Sequence, residues 1–326
     1  MDFRALRDRL PSLEPAEPTS PWPRVGRGGV SFSDDLLCPE GRIGVRVRIT
    51  DDGNGGYCID LRDSDPPDQA HRFGLSEARA TTACVLALGS ALGEQPGAGW
   101  SKRLSLLTDP RTFIGTNDEG CDPAAIAFAM ARTIDAVLGA LANAWPGRVG
   151  AGSCTVGAVV ELLDGDDVVL TEALPGGEGG QPNHPGSAAW AGPVIASPWP
   201  HPPAVDGIII EGGIREGSGG VGKHAGGDGV ERTYVAERPL QARVAFDRVS
   251  NPPHGIDRAG PPLGSEVVVQ GRGDDRASAV VPWAPLSLGA GDRLIVRTCG
   301  GAGWGFPGYG DIEWDPSEWF GSKPKQ

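Results

Sequence analysis

Alternation of apolar and polar side chains begins at Ile43, where Val45, Val47 and Ile49 alternate with Arg46 and Arg48. The run Asp51-Asp52-Gly53-Asn54-Gly55-Gly56 marks a turn, and Tyr57, Ile59 and Leu61 resume the period of two. This pattern predicts a β-hairpin with one solvated face. Over 76–91 the period changes: Ala80, Cys84, Leu88 and Ala91 recur at spacings of three and four, which predicts a helix with small residues on its packed face. A second helix is better punctuated. Asp122 is placed to cap it and Pro123 to open it, where a missing N–H costs nothing. Ile126, Met130, Ile134, Val137 and Leu141 form its stripe, alanines fill most of the remainder, and Trp145-Pro146-Gly147 ends it. Beyond residue 150 the helical signal fades. Runs at 156–163 and 168–174 flank the turn Asp164-Gly165-Asp166, and 208–210, 230–237, 240–249, 266–270 and 293–298 read as further strands. The predicted class is α+β. Helices pack on a sheet in the N-terminal half, and the C-terminal half is mostly antiparallel β with long Gly/Pro-rich loops. The expected divisions are an irregular arm over 1–40, an α+β part over 41–160 and a β-rich part over 161–326, with one continuous domain equally compatible.

Composition complicates that picture. The 326 residues include 51 glycines and 30 prolines, far above the usual combined share of roughly 12%. Disorder does not follow, because 39% of the chain is hydrophobic and falls in ordered runs. Nor is there a strict every-third glycine, so a collagen-like chain is excluded. The net charge of −13 argues against a nucleic-acid backbone or an anionic membrane as partner, since both need clustered Lys and Arg. The best candidate for a membrane span, 124–145, carries Arg132 and Asp135. The N-terminus lacks the apolar stretch of a secretory signal. Cys38, Cys58, Cys84, Cys121, Cys154 and Cys299 are widely separated, with no C-x-x-C pair. A reduced, cytoplasmic setting is expected.

Several segments carry candidate chemistry. GSGGVGKH at 217–224 satisfies G-x-G-x-x-G at Gly217, Gly219 and Gly222, and with Lys223 approaches a phosphate-binding loop. His224 replaces the hydroxyl that loop needs, and AGGDG at 225–229 leads into a strand, not a helix. Glycine-rich turns between strands are the simpler reading. The five histidines, His71, His184, His201, His224 and His254, show no ligand spacing, and no metal site is expected. G-x-S-x-G is absent. Cys121 and Cys154 read as buried structural thiols rather than nucleophiles, and Asp63 with Asp65 as turn residues rather than an acid–base pair. Six of the nine tryptophans follow residue 185, mostly beside Gly or Pro, where they either line a pocket or pack loops.

The glycine-rich blocks, taken in order, resemble the hydantoinase B family, which includes oxoprolinase-type and ketone-carboxylase subunits. Ser218-Gly219-Gly220-Val221-Gly222 followed by Gly226-Gly227-Asp228-Gly229 is similar to the family's S-G-G-x-G-x-x-x-G-G-D-G run. Pro252-Pro253-His254-Gly255 and Gly260-Pro261 resemble its proline- and glycine-rich loop, and Gly291-Asp292 with 298–305 resembles its G-D…T-x-G-G-G-G-x-G end block. RTIDAVLGALA (132–142) and IDLRDSDPP (59–67) resemble its helix and hairpin. There are departures. The family's N-terminal segment rich in His and Asp, which supplies a metal site in the ketone carboxylases, has no counterpart here. The polar run G-G-N-x-E-T-S-Q before the helix reads AAIAFAMA (124–131), and an expected histidine stretch near residue 190 reads AAWAGPVIAS (188–197). The resemblance implies action on a cyclic amide, such as a hydantoin, lactam or oxoproline-like ring, or on an activated carbonyl. It also implies a hydantoinase A-type subunit that uses ATP, no cofactor being bound by this chain itself, with a homo-oligomer as the alternative assembly. In the matched blocks, Lys223 and His224 would stabilise an oxyanion or move a proton, with Asp228 orienting them or capping a turn, and His254 joining them. Arg215, Ser218, Asp292 and Trp304 would contact substrate. The lost polar positions leave two other readings: a stand-alone metal-free cyclase, isomerase or lyase of a specialised pathway, and a non-catalytic scaffold subunit.

Overall fold

The computed structural model describes residues 22–67, 73–94, 96, 100, 102–194, 197, 199–202 and 204–307. His71, Trp314 and Trp319 lie outside them. An α+β architecture is seen. Strands β1 (Val30–Cys38), β2 (Gly41–Asp51), β3 (Tyr57–Asp60) and β4 (Leu104–Leu107) form one sheet in that order. The predicted hairpin is β2–β3, paired antiparallel with Ile49 opposite Ile59. Ile43, Val45, Val47 and Ile49 are buried on one face, as the period requires.

Residues 30–38, assigned from the sequence to an irregular arm, are instead β1, antiparallel to β2 over their whole length. The acidic pair Asp34-Asp35 interrupts its apolar pattern and hides the strand. β4 was also not foreseen; it is four residues long and joins β3 in parallel.

Helix α1 (Glu77–Leu92) buries the predicted face of Ala80, Cys84, Leu88 and Ala91. Helix α2 (Pro123–Ala144) opens as its punctuation predicts: Asp122 accepts the Ala124 N–H at 2.8 Å and Pro123 follows. The AAIAFAMA run forms the first two turns of α2, as the stripe through Ile126 and Met130 predicts. By length and composition α2 is apolar enough to cross a bilayer, Arg132 and Asp135 notwithstanding, but it packs on α1, β1 and β2 and is mostly buried inside the fold. It is the core helix that the alanine-rich all-round apolarity predicts.

The remaining strands make two further sheets. β5 (Ala158–Asp164), β6 (Asp167–Leu174), β9 (Leu240–Phe246) and β12 (Pro285–Leu288) run in the order β12-β9-β5-β6. β7 (Ile208–Ile214), β8 (Val230–Ala236), β10 (Glu266–Gln270), β11 (Ala277–Ala279) and β13 (Arg293–Arg297) run in the order β11-β10-β13-β8-β7. One apolar cluster, drawn from both sheets, includes Val160, Leu162, Val244, Tyr234, Leu294 and Val296. Within it lies a buried polar unit. Glu172 accepts from Arg232 at 2.7 Å and from the Tyr234 hydroxyl at 2.6 Å, while Trp199 covers the guanidinium at 4.5 Å. These contacts offset the cost of withdrawing both charges from water.

Between the sheets and helices the glycine-rich segments interleave. Gly177 N–H donates to Cys299 O, Gly227 N–H to Glu178 O, Gly301 N–H to Gly227 O and Gly220 N–H to Gly301 O. Backbone thus packs on backbone, and a Cβ at Gly226 would overlap the carbonyl oxygen of Gly301. The glycines at 219–229 serve this packing, whereas Gly217 takes a left-handed turn with nothing near it, and strand β8 follows directly from the run.

Candidate functional site

A cleft of about 490 Å³ opens between α1 and α2. Leu86 and Gly89 of α1, Ile134 and Leu138 of α2, and Trp190 give it a mainly apolar wall. Its polar groups are the Asp135 carboxyl and the hydroxyls of Ser153 and Thr155, with Ser90 and Glu94 also lining it. The Ser153 hydroxyl accepts the Gly179 N–H at 2.9 Å, which leaves its own proton available for donation. An apolar cleft with a few convergent polar groups is the usual form of a small-molecule site.

Asp135 reaches the cleft from a buried ionic cluster. Arg132 donates through Nη1 to Asp34 at 3.1 Å and to Asp135 at 3.3 Å, and through Nη2 to Asp247. Arg248 grips Asp34 with both terminal nitrogens, at 3.2 and 3.0 Å, and Asp135 Oδ2 at 2.8 Å. Asp34 also accepts from Asn251 at 3.1 Å, and Asp247 from the Leu37 N–H at 3.1 Å. The side chains of Arg132, Arg248, Asp34 and Asp135 are no more than 5% exposed. Burial holds the Asp135 carboxyl well above the ordinary range, with Asp34 and Asp247 adding to the shift and Arg132 opposing it. Asp247 is raised by burial too, against the pull of Arg132. For Arg132, burial disfavours the cation, but the three carboxylates outweigh it and its pKa ends above the ordinary value. A neutral carboxylic acid facing an apolar cleft is a hydrogen-bond donor to a carbonyl oxygen.

The eight residues to which the family resemblance gave site roles stand elsewhere, and none of them lines this cleft. His224 and Trp304 are brought together: their backbones exchange two hydrogen bonds, at 3.0 and 2.9 Å, and their rings lie 5.9 Å apart. Trp304 also donates its indole N–H to Val149 O at 3.0 Å. Lys223 is exposed beside Gly305. Asp228 and Ser218 meet, with Asp228 accepting the Gly219 N–H at 2.7 Å and Ser218 accepting the Gly229 N–H at 2.9 Å. Arg215 donates to Gly264 O and Thr298 O at 2.7 and 3.0 Å, and burial lowers its pKa. Asp292 fastens the turn before β13, accepting from Gly289 and Arg272 N–H. His254 packs its ring on Phe32 at 4.6 Å. Burial lowers its pKa, assisted by Arg132 and opposed by Asp34. His254 is therefore the one of these eight that adjoins the ionic cluster.

Sequence reasoning missed Asp34, Asp135, Asp247 and Arg248 as site residues. The available signal was the pair Arg132 and Asp135, two charges one turn apart inside an otherwise apolar helix. Trp190 does line the cleft, whereas Trp283 is buried and Trp199 stacks on Arg232.

A family model described as Hydantoinase B/oxoprolinase matches residues 4–307. The 5-oxoprolinase 1 of Arabidopsis thaliana is 23% identical over 310 residues, covering 92% of this chain and 24% of that protein. The 5-oxoprolinase of Saccharomyces cerevisiae is 34% identical over 112 residues, covering 30% of this chain and 8% of that protein. The chain thus spans no more than a quarter of the length of these relatives. Among solved structures, the nucleotide-free acetone carboxylase, from work on ATP-dependent acetone carboxylation, is similar with a TM-score of 0.63 at 13% identity, over 89% of this chain and 46% of that one. The ATP-dependent caprolactamase from Pseudomonas jessenii is similar with a TM-score of 0.61 at 17% identity, over 86% of this chain and 52% of that one.

Proposed function

The chain belongs to the hydantoinase B/oxoprolinase family, and from that membership and the cleft we propose that it acts on a small cyclic amide of the hydantoin, lactam or oxoproline kind. The observation that carries the reading is the buried Asp135 carboxyl at the polar end of an otherwise apolar cleft. The methylene groups of a ring would lie against Leu86, Ile134, Leu138 and Trp190. The protonated Asp135 would donate to the amide oxygen. A donor fixed in a dry site stabilises the negative charge that develops there when the carbonyl is attacked. The Ser153 and Thr155 hydroxyls would orient the rest of the amide. Names of related proteins support this substrate class, since they include 5-oxoprolinases and a caprolactamase.

The reading gives this chain no cofactor of its own. ATP would be used by a separate A-type subunit, in keeping with the ATP dependence stated for the two similar structures. The metal that the family implies does not fit the described residues. Among the described residues no group of three or more His, Cys, Asp or Glu is arranged to hold an ion, and the three clustered carboxylates are occupied by guanidinium groups.

Calorimetric titration with caprolactam and 5-oxoproline tests the site. Losing a hydrogen bond from a buried acid is worth about 1.5–3 kcal/mol, so Asp135→Ala weakens binding roughly 10- to 100-fold. Leu138→Trp, which fills the cleft, abolishes it. Lys223→Ala and His224→Ala leave it unchanged. Binding that survives Leu138→Trp and disappears in Lys223→Ala or His224→Ala would place the substrate at the glycine-rich blocks and overturn the assignment to the cleft.

A further inference from the structure

The ionic cluster opens on two sides of the molecule. Asp135 lines the cleft, while Asp34 lines a polar groove with Ser33, Asp35, Arg42 and Asn251 on the β1–β2 face. The two carboxylates share Arg132 and Arg248. Counting formal charges, Asp34, Asp135 and Asp247 set three negative against the two positive guanidinium groups. In a poorly solvated interior the surplus negative charge is costly, and one proton relieves it.

Geometry selects which carboxyl holds that proton. Asp34 and Asp247 each accept through both oxygens. Asp135 meets both arginines through Oδ2 alone, and neither arginine engages its Oδ1. Asp135 is the least compensated of the three. Other titratable groups around it are Cys154, whose thiol feels Asp135, and Glu94 on the cleft wall. His254 faces Asp34 and Arg132 from the opposite side.

We propose that Asp34 is a positioning residue whose negative charge, relayed by the two arginines it shares with Asp135, keeps the proton on Asp135 in the cleft. The inference deepens the proposed function and rests on its assignment of Asp135. Arg248 fixes the geometry. It adopts a left-handed backbone conformation, φ 61°, and has a side chain only 3% exposed. Its guanidinium is held between the two carboxylates by its hydrogen bonds to them and by one from Nη1 to Asn251 O at 3.1 Å. Removing the Asp34 charge leaves two carboxylates facing two guanidinium groups, so that only burial and Asp247 still favour the proton on Asp135.

The test uses the purified full chain without substrate. Infrared difference spectroscopy follows the carbonyl band of a protonated carboxyl group as pH is raised, and its loss in Asp135→Asn assigns that band to Asp135. Asp34→Asn should lower the titration midpoint by at least one pH unit, a tenfold change in proton affinity, and Asp34→Glu should restore it. Arg248→Gln, which removes a positive charge, should move it the other way. A midpoint unchanged in folded Asp34→Asn overturns the proposal, as does a shift of the same sign in Asp34→Asn and Arg248→Gln. Should Asp34→Asn fail to fold, a downward or absent shift in Arg248→Gln overturns it alone. Failure of lactam binding with these shifts intact would refute the substrate assignment and leave the role of Asp34 standing.

Discussion

Replacing Gly222 by alanine probes the backbone-on-backbone packing that supports the fold. A Cβ there would lie 2.7 Å from the backbone nitrogen of Trp304, 2.8 Å from its oxygen and 3.0 Å from the Ala259 Cβ. Comfortable separations are nearer 3.5 Å, so the 302–305 segment must retreat by about 0.7 Å. Overpacking of this kind costs about 1–3 kcal/mol. The same retreat stretches the two hydrogen bonds between Trp304 and His224, now 2.9 and 3.0 Å, each worth about 0.5–1.5 kcal/mol. A total near 3 kcal/mol follows if the penalties partly overlap. With a urea slope of about 3 kcal/mol/M for a chain of this size, the midpoint should fall by about 1 M. Gly213→Ala on edge strand β7 is the control, because a Cβ there meets nothing within 4 Å. Its midpoint should hold or rise slightly. Urea unfolding followed by circular dichroism reads both variants. Equal midpoints for Gly222→Ala and the unaltered chain would refute the argument that glycine is required by close backbone approach.

Glu172→Ala leaves the Arg232 guanidinium and the Tyr234 hydroxyl without their shared acceptor in the sandwich core, and should cost about 3–5 kcal/mol in urea unfolding. The His254 pKa is held below its ordinary value of 6.5 by burial, so the unfolded chain binds the proton more readily. Stability contributed by the neutral ring is complete above pH 6.5 and is lost as pH falls below it. Thermal unfolding of His254→Phe, which keeps the contact with Phe32, should show a shallower decline between pH 6.5 and the lowered folded value; an unchanged slope would assign the decline to other groups.

The apolar period alone located the β2–β3 hairpin, because one buried face per strand requires alternation and Ile43, Val45, Val47 and Ile49 supply it. Local chemistry also marked the start of α2, since an N-cap acceptor and a proline each act within two residues of the helix terminus. β1, β4, β11 and β12 were less legible. They are short, edge-forming or interrupted by charge, and their pairing depends on partners distant in sequence. The order of the glycine blocks, though not any one block, carried the family resemblance.

The candidate site divided along the same line. Polar residues within the glycine-rich blocks were conspicuous in the sequence, yet the structure engages Ser218, Asp228, Arg215 and Asp292 in fastening loops and turns. Asp34, Arg132, Asp135, Asp247 and Arg248 come from three separate stretches of chain, and no local pattern announces that they meet. Their meeting depends on α2 lying across β1 and β2 with the end of β9 beside them. Sequence alone determined that this chain has an α+β scaffold with glycines where backbones must touch. Only the tertiary structure decided which charges lose their water together, and so which carboxyl has its pKa raised beside the cleft.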